Sequence, residues 1–134
     1  MQQNTHQALS AALCGRSLEL SAGRAQVQLV TLPEMAADAN GLVHGGFVFG
    51  LADYAAMLAI NEPNVVLGSA EVRLLAPVVV GETLLATASL LRTEGKKHFV
   101  EVSVTRHATQ VFVGTFVCFV PKTHVLEARA GERA

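Results

Sequence analysis

The chain has no tryptophan, one tyrosine, four prolines and two cysteines in 134 residues. Two unpatterned thiols, Cys14 and Cys118, exclude a disulfide framework and a cysteine-based metal site, which need more cysteines at tighter spacing. They read as reduced cysteines of a cytoplasmic protein. Charged residues are also scarce, at 16%, and they nearly cancel to a net charge of -1. Without a basic excess, nucleic acid is excluded as the main partner, because phosphate binding needs a positive field. No segment reaches the ~18 to 20 apolar residues of a membrane span. The opening stretch MQQNTHQALSAALCG lacks the basic region of a signal peptide. The five histidines show no ligand spacing with carboxylates, and no G-x-S-x-G elbow occurs, so neither a metal nor a serine-hydrolase centre is expected. No cofactor is expected.

What the sequence does have is apolar residues. They make up 51% of the chain, and the mean hydropathy is +0.39. The length fits one domain spanning 1–134. So small a domain has trouble covering that much apolar surface alone, which points to burial against another subunit.

Along the chain, the lead-in 1–24 carries a short apolar patch, Ala8 to Cys14, that fits an N-terminal helix. Ala25 to Leu32 alternates as a strand. Pro33 to Leu42 is turn-rich, with one helical turn at Glu34 to Ala37. A helix then starts near Gly45-Gly46 and runs to about Ile60, where Asn61-Glu62-Pro63-Asn64 stops it. Four strands follow, near Val65–Leu75, Glu82–Thr93, Lys97–His107 and Val111–Val120. Their separators are too short for parallel crossovers, so the strands are antiparallel neighbours. Val100, Val102 and Val104 share one face; Leu84, Ala86, Ala88 and Leu90 form a similar stripe. The last strand is apolar on both faces, implying cover on both. The polar tail 121–134 is expected to fray. The order predicts an α+β domain: a five-stranded antiparallel sheet wrapped around one long central helix.

That helix, in HGGFVFGLADYAAMLAI, poses the chemical question. It is apolar all round and so predicts burial all round. Gly46 and Gly50 share a face, where they allow close backbone approach. At Gly45-Gly46 the first-turn N–H groups lack intrahelical partners and the helix dipole is positive. Glycine would let a ligand oxygen reach them, as in an oxyanion hole. An ordinary tight entry into a helix explains the pair equally well. Asp53 lies too deep to cap the helix, and burying its charge unpaired costs several kcal/mol. Three explanations stand: a polar partner in the core, access to solvent, or a functional role in a subunit-interface cleft. The segment holds no Lys or Arg, which weakens the first.

These residues resemble the hotdog-fold acyl-CoA thioesterases, specifically the phenylacetic-acid-degradation type within the 4-hydroxybenzoyl-CoA thioesterase superfamily. The resemblance rests on His44-Gly45-Gly46, Phe49, Leu51-Ala52-Asp53, Ala55 and Ala59, with SAEVRLLAPVVVGETLLATASLL and TEGKKHFVEVSV behind them, and covers roughly residues 25–120. It implies a homodimer joined sheet edge to sheet edge, often doubled into a tetramer, acting on an acyl-CoA. The N–H groups of Gly45 and Gly46 would bind the thioester oxygen, with His44 lining the site. Asp53 of the other subunit would be nucleophile or general base. The sequence departs from the family where many members carry an Asn six residues before the His; here that position is Asp38, and Asn40 is the nearby substitute. Ser69 is a candidate helper on the following strand. Arg73, Arg92, Lys96 and Lys97 are available for coenzyme A phosphates, although solvated surface charge explains any one of them.

The rival expectation from another class is a non-catalytic acyl-CoA binder or sensor of the same fold. A purely structural module gives Asp53 no role.

Overall fold

The computed structural model describes residues 1–130. The elements are α1 (Ala11–Cys14), β1 (Arg16–Ser21), β2 (Arg24–Val30), α2 (Gly45–Ile60), β3 (Val66–Leu74), β4 (Thr83–Glu94), β5 (Lys97–Arg106), β6 (Thr109–Phe119) and α3 (Val125–Ala130), with a 3-10 turn at Pro33–Met35 before α2. The strands form one antiparallel sheet in the order β1-β2-β4-β5-β6-β3.

Period-two alternation builds the inner face of the sheet. Ala25, Val27 and Leu29 of β2, Leu84, Ala86 and Ala88 of β4, and Val100, Val102 and Val104 of β5 are all buried, as are Phe112, Phe116 and Cys118 of β6. Helix α2 lies across this face, contacting every strand. Its residues from Tyr54 to Ala59 are buried on all sides. This is the expected arrangement of a sheet wrapped around one long helix, the hotdog fold.

The structure corrects several expectations. The sheet has six strands rather than five, because β1 forms a hairpin with β2 through a turn at Gly23 (φ 75°). As an outer strand β1 buries no residue fully, and RSLELS lacks the apolar face that would have marked it. The N-terminal helix is shorter than Ala8 to Cys14, since Ser10 caps it and accepts from the Leu13 N–H at 3.3 Å. Within the tail expected to fray, α3 forms over Val125–Ala130, and residues 131–134 lie outside the described residues. Leu90 falls outside the buried stripe. On β6 the outer-face residues Val113, Val117 and Phe119 are only half-buried, so nothing in this chain covers that face fully.

Nor is α2 buried all round. Gly46, Phe49, Gly50 and Asp53 form an i, i+3, i+4, i+7 stripe that stays exposed or half-buried. A Cβ added at Gly50 would meet nothing within 4 Å. The Gly46–Gly50 face therefore has no backbone neighbour of its own chain; it opens outward.

Candidate active site

The entrance of α2 is fixed by backbone pairing. The His44 N–H donates to the Met35 carbonyl at 2.9 Å, and the Val43 N–H to the Val78 carbonyl at 2.8 Å. Met35 and Val78 are themselves buried, so the start of the helix is anchored in the core. Asp38 holds the preceding loop by accepting from the N–H groups of Asn40 (2.9 Å) and Leu42 (3.2 Å). Asp38 is thus a turn-former, as short carboxylates often are.

His44 occupies the N-cap position in extended conformation, but its side chain makes no capping bond. The Phe47 N–H bonds back to the His44 carbonyl at 3.0 Å, whereas the N–H groups of Gly45 and Gly46 donate to nothing among the described residues. Two unpaired donors at the positive end of a 16-residue helix make an anion-binding position. The exposed His44 ring lies over Gly46, where a Cβ would come within 2.8 Å of Nε2. Leu74 packs against Gly45, which a Cβ would approach to 2.6 Å. Beside Gly45 is an apolar cavity of about 300 Å³, lined by Leu42, Val48, Leu74, Leu75, Pro77 and Val111 among others.

Asp53 lies two turns further along. It is half-buried; its Oδ1 is fully sealed and has no hydrogen-bond partner. No ion pair reaches it among the described residues. The polar-partner explanation of this carboxylate therefore fails. Burial raises its pKa, because the charged form has lost water without gaining a donor. It lines a second cavity, of about 380 Å³, with Thr5, His6, Met57, Val66, Leu67 and His124. Its charge is felt nearby: burial, then the Asp53 carboxylate, push the Cys118 thiol up to about 12 and raise that of Cys14.

The other predicted residues are spread more widely. Asn40 is exposed on the loop before α2, and Ser69 is exposed on β3 just beyond a bulge. Arg73 is exposed on β3 beside Leu74. Lys96 and Lys97 sit at the β4–β5 turn, with Lys97 opposite Phe119, which in turn pairs with Val66. Arg92 is bound to Glu94 at 3.0 Å and stacks on Phe99. One chain thus gathers His44, Gly45 and Gly46 at one end of β3 and Asp53 at the other. Thr5, His6 and the β3 residues Val66 and Leu67 were missed. The polar opening stretch carries no periodicity, and only its packing brings it to Asp53.

Among the described residues no cluster of His, Cys, Asp or Glu could hold a metal ion, and no helix is long and apolar enough to cross a membrane.

An α+β fold whose central helix offers free N–H donors at its start and a sealed carboxylate midway defines the class to which the comparisons also lead. Residues 40–112, more than half the chain, match the thioesterase superfamily, and the chain belongs to it. It is similar to the uncharacterized protein PH1136 of Pyrococcus horikoshii, with 52% identity and a TM-score of 0.93 over 94% of this chain and 97% of that one. A mutant of the phenylacetic acid degradation protein PaaI from Thermus thermophilus is a more distant likeness, at 28% identity and a TM-score of 0.75 over 82% of this chain and 96% of that one. Among curated proteins, the methylthioribose-1-phosphate isomerase of Aquifex aeolicus is 44% identical over 87% of this chain. The transcription factor FapR of Caldanaerobacter subterraneus is 28% identical over 91% of it. The chain spans 25% of the Aquifex protein and 62% of FapR.

Proposed function

We propose that the protein hydrolyses acyl-CoA thioesters as a homodimer in which each active site is built from both copies. The observation that carries this reading is a distance. Asp53 lies eight residues beyond Gly45 on α2, or ~12 Å along the axis at the helical rise per residue. A reacting carbonyl needs its carbon ~3 Å from the attacking group and its oxygen ~3 Å from the donors, a compact geometry that donors and carboxylate two turns apart on one helix are poorly placed to supply.

A second copy can, if β3 pairs with its own mate. This strand is a nine-residue outer edge, of the kind that recruits another strand unless blocked. Val66, beside Asp53, is at one end; Leu74, beside Gly45, is at the other. A twofold axis near Ala70, the middle of β3, would set Val66 against the partner's Leu74. The donors of one copy would then meet the carboxylate of the other. The uncovered Gly46–Gly50–Asp53 stripe is the surface such an arrangement would close.

In this site the Gly45 and Gly46 N–H groups stabilise the oxyanion, an effect worth roughly 10²- to 10³-fold per donor. Asp53 serves as general base or nucleophile, and its raised pKa makes it a stronger base than an exposed carboxylate. His44 lines the entrance, and the apolar cavity beside Gly45 takes the uncharged part of the substrate. Lys96 and Lys97 lie at the Asp53 end of the sheet, where the partner's Arg73 would also arrive, and would meet the coenzyme A phosphates. Asn40 and Ser69 keep the lesser roles of placing the thioester. The half-buried outer face of β6 supports pairing of dimers into a tetramer. Membership of the phenylacetic-acid-degradation type and a place in the cytoplasm belong to the same proposal.

The second reading, an acyl-CoA sensor without hydrolysis, is supported by the likeness to FapR. A broad panel of acyl-CoA substrates separates the two: turnover supports the enzyme, and tight binding without turnover supports the sensor. Complementation tests the shared site. Gly45→Pro removes one donor at the first helical position, where proline is tolerated and the extended His44 already suits it, and its Cβ has to displace only the end of the exposed Leu74 side chain. Mixed and exchanged with Asp53→Asn, it should restore about a quarter of wild-type activity, since half the dimers are hybrids with one intact site. No restoration would place the whole site within one chain.

A further inference from the structure

The first ten residues form neither helix nor strand, yet they are tightly fastened. Asn61, the left-handed residue that caps the C-terminus of α2 (φ 55°), accepts from the Asn4 N–H at 2.7 Å and donates through Nδ2 to the Gln2 carbonyl at 2.8 Å. Gln3 Nε2 donates to the Thr5 carbonyl at 2.9 Å and to the Tyr54 hydroxyl at 3.0 Å. Tyr54 directly follows Asp53. These bonds strap the segment across the helix and bring Thr5 and His6 into the lining of the Asp53 cavity.

His6 is held in an unusual state. Its φ of 55° lies in the left-handed region, uncommon for a residue with a side chain and seen where surrounding structure enforces it. Its ring stands against Tyr54, with centroids 6.4 Å apart. The buried Thr5 places Oγ1 2.7 Å from His6 Nδ1, which leaves Nε2 as the ring's free nitrogen. Asp53 also lines this cavity; its Oδ1 is sealed, so the accessible part of the half-buried residue lies elsewhere. His124, which also lines the cavity, is exposed and spends Nδ1 on the Leu126 N–H at 3.0 Å.

We propose that His6 is a positioning residue of the hydrolytic site, holding together with Asp53 the water that attacks the thioester. The inference rests on the thioesterase reading. No contact within 4.0 Å joins the His6 ring to the Asp53 carboxylate, and the cavity that both line, of about 380 Å³, is large enough to hold water. An attacking water has two protons to place and a lone pair to aim. Asp53 accepts one hydrogen bond through Oδ2, since Oδ1 is sealed, and takes that proton as the new C–O bond forms. His6 Nε2 accepts the other, with Nδ1–H donating to Thr5 Oγ1. The C–S bond then breaks, its electron pair leaves on sulfur, and the proton held by Asp53 passes to the thiolate. Burial lowers the His6 pKa, which keeps the ring neutral and able to accept.

The test is steady-state kinetics on the full-length wild type, His6→Phe, His6→Gln and Thr5→Val, with the best acyl-CoA of the panel. His6→Phe keeps a ring against Tyr54 but removes both nitrogens. It should lower kcat by roughly 10- to 100-fold, the cost of losing orientation, with KM and melting temperature little changed. His6→Gln retains an acceptor and should recover part of the loss, and Thr5→Val should lower kcat in the same direction. Wild-type kcat in His6→Phe refutes the proposal while Asp53→Asn remains inactive. If His6→Phe does not fold, an unchanged kcat in Thr5→Val refutes it. Equal losses in the Phe and Gln variants with a lowered melting temperature mark a structural role and also refute it. A wild type that hydrolyses no thioester overturns the enzyme reading, and this inference with it.

Discussion

Replacing Asp53 by asparagine should make the protein inactive and more stable at once. Oδ1 of Asp53 is sealed from solvent without a donor, and burial raises the pKa of the group. The native state therefore binds the Asp53 proton more tightly than the unfolded chain does. It follows that stability falls as pH rises from the ordinary carboxylate range through the raised value, and is flat above it. At neutral pH the wild type carries the whole of this penalty. Asparagine has nearly the same shape and no charge, although its carbonyl oxygen inherits the unpartnered position, so only part is recovered. A gain on the order of 1 kcal/mol is expected, as when other function-constrained residues are replaced. For a domain of this size that raises the melting temperature by about 4 °C. Loss of the base should lower acyl-CoA hydrolysis by roughly 10²- to 10⁴-fold. Thermal melts at pH 7 and pH 3.5 with matched kinetics check this, since the stability difference should shrink at the lower pH. A variant that is inactive and also less stable at pH 7 would show that the carboxylate holds structure together. A variant that keeps wild-type turnover would refute the mechanism.

Other outcomes follow from the same geometry. Because Asp53 must be ionised to act, kcat/KM should rise with pH along a limb whose midpoint lies above the ordinary carboxylate value of about 4; a midpoint at or below that value would contradict the burial argument. Gly15→Ala should cost about 2 to 3 kcal/mol in chemical denaturation, from a strained backbone and overpacking. Its φ is 107°, and a Cβ there would come within 2.9 Å of the Gln28 carbonyl oxygen. The Cys118 thiol, fully buried and pushed up to about 12, should resist alkylation at pH 8 until the protein unfolds, as mass spectrometry of iodoacetamide-treated protein would report.

Much of the fold was legible because local patterns and global packing agree. Val100, Val102 and Val104 alternate as a buried face must, and the helix Gly45 to Ile60 opens on a glycine pair and is stopped by Asn61-Glu62-Pro63-Asn64. Strand β1 was not legible, since an outer strand with little to bury leaves no apolar period. The chemistry was legible only in part. Asp53 stood out as the one charge in an apolar helix, but three explanations of it survived until the structure showed that no donor reaches it.

The sequence by itself determined where the central helix and the strands β2 to β6 lie, and that a carboxylate and two glycines would share one helix. Those are local properties, set by periodicity and by chain entry into a helix. Tertiary structure decided what surrounds them: that β3 lies at an edge of the sheet, that Leu74 lies beside Gly45 while Val66 lies beside Asp53, and that Thr5 and His6 line the Asp53 cavity. These neighbours are up to about fifty residues apart in the chain, and such pairings leave no periodic trace. They arise only when long-range strand register and the fastening of the N-terminal strap are fixed by the packed whole.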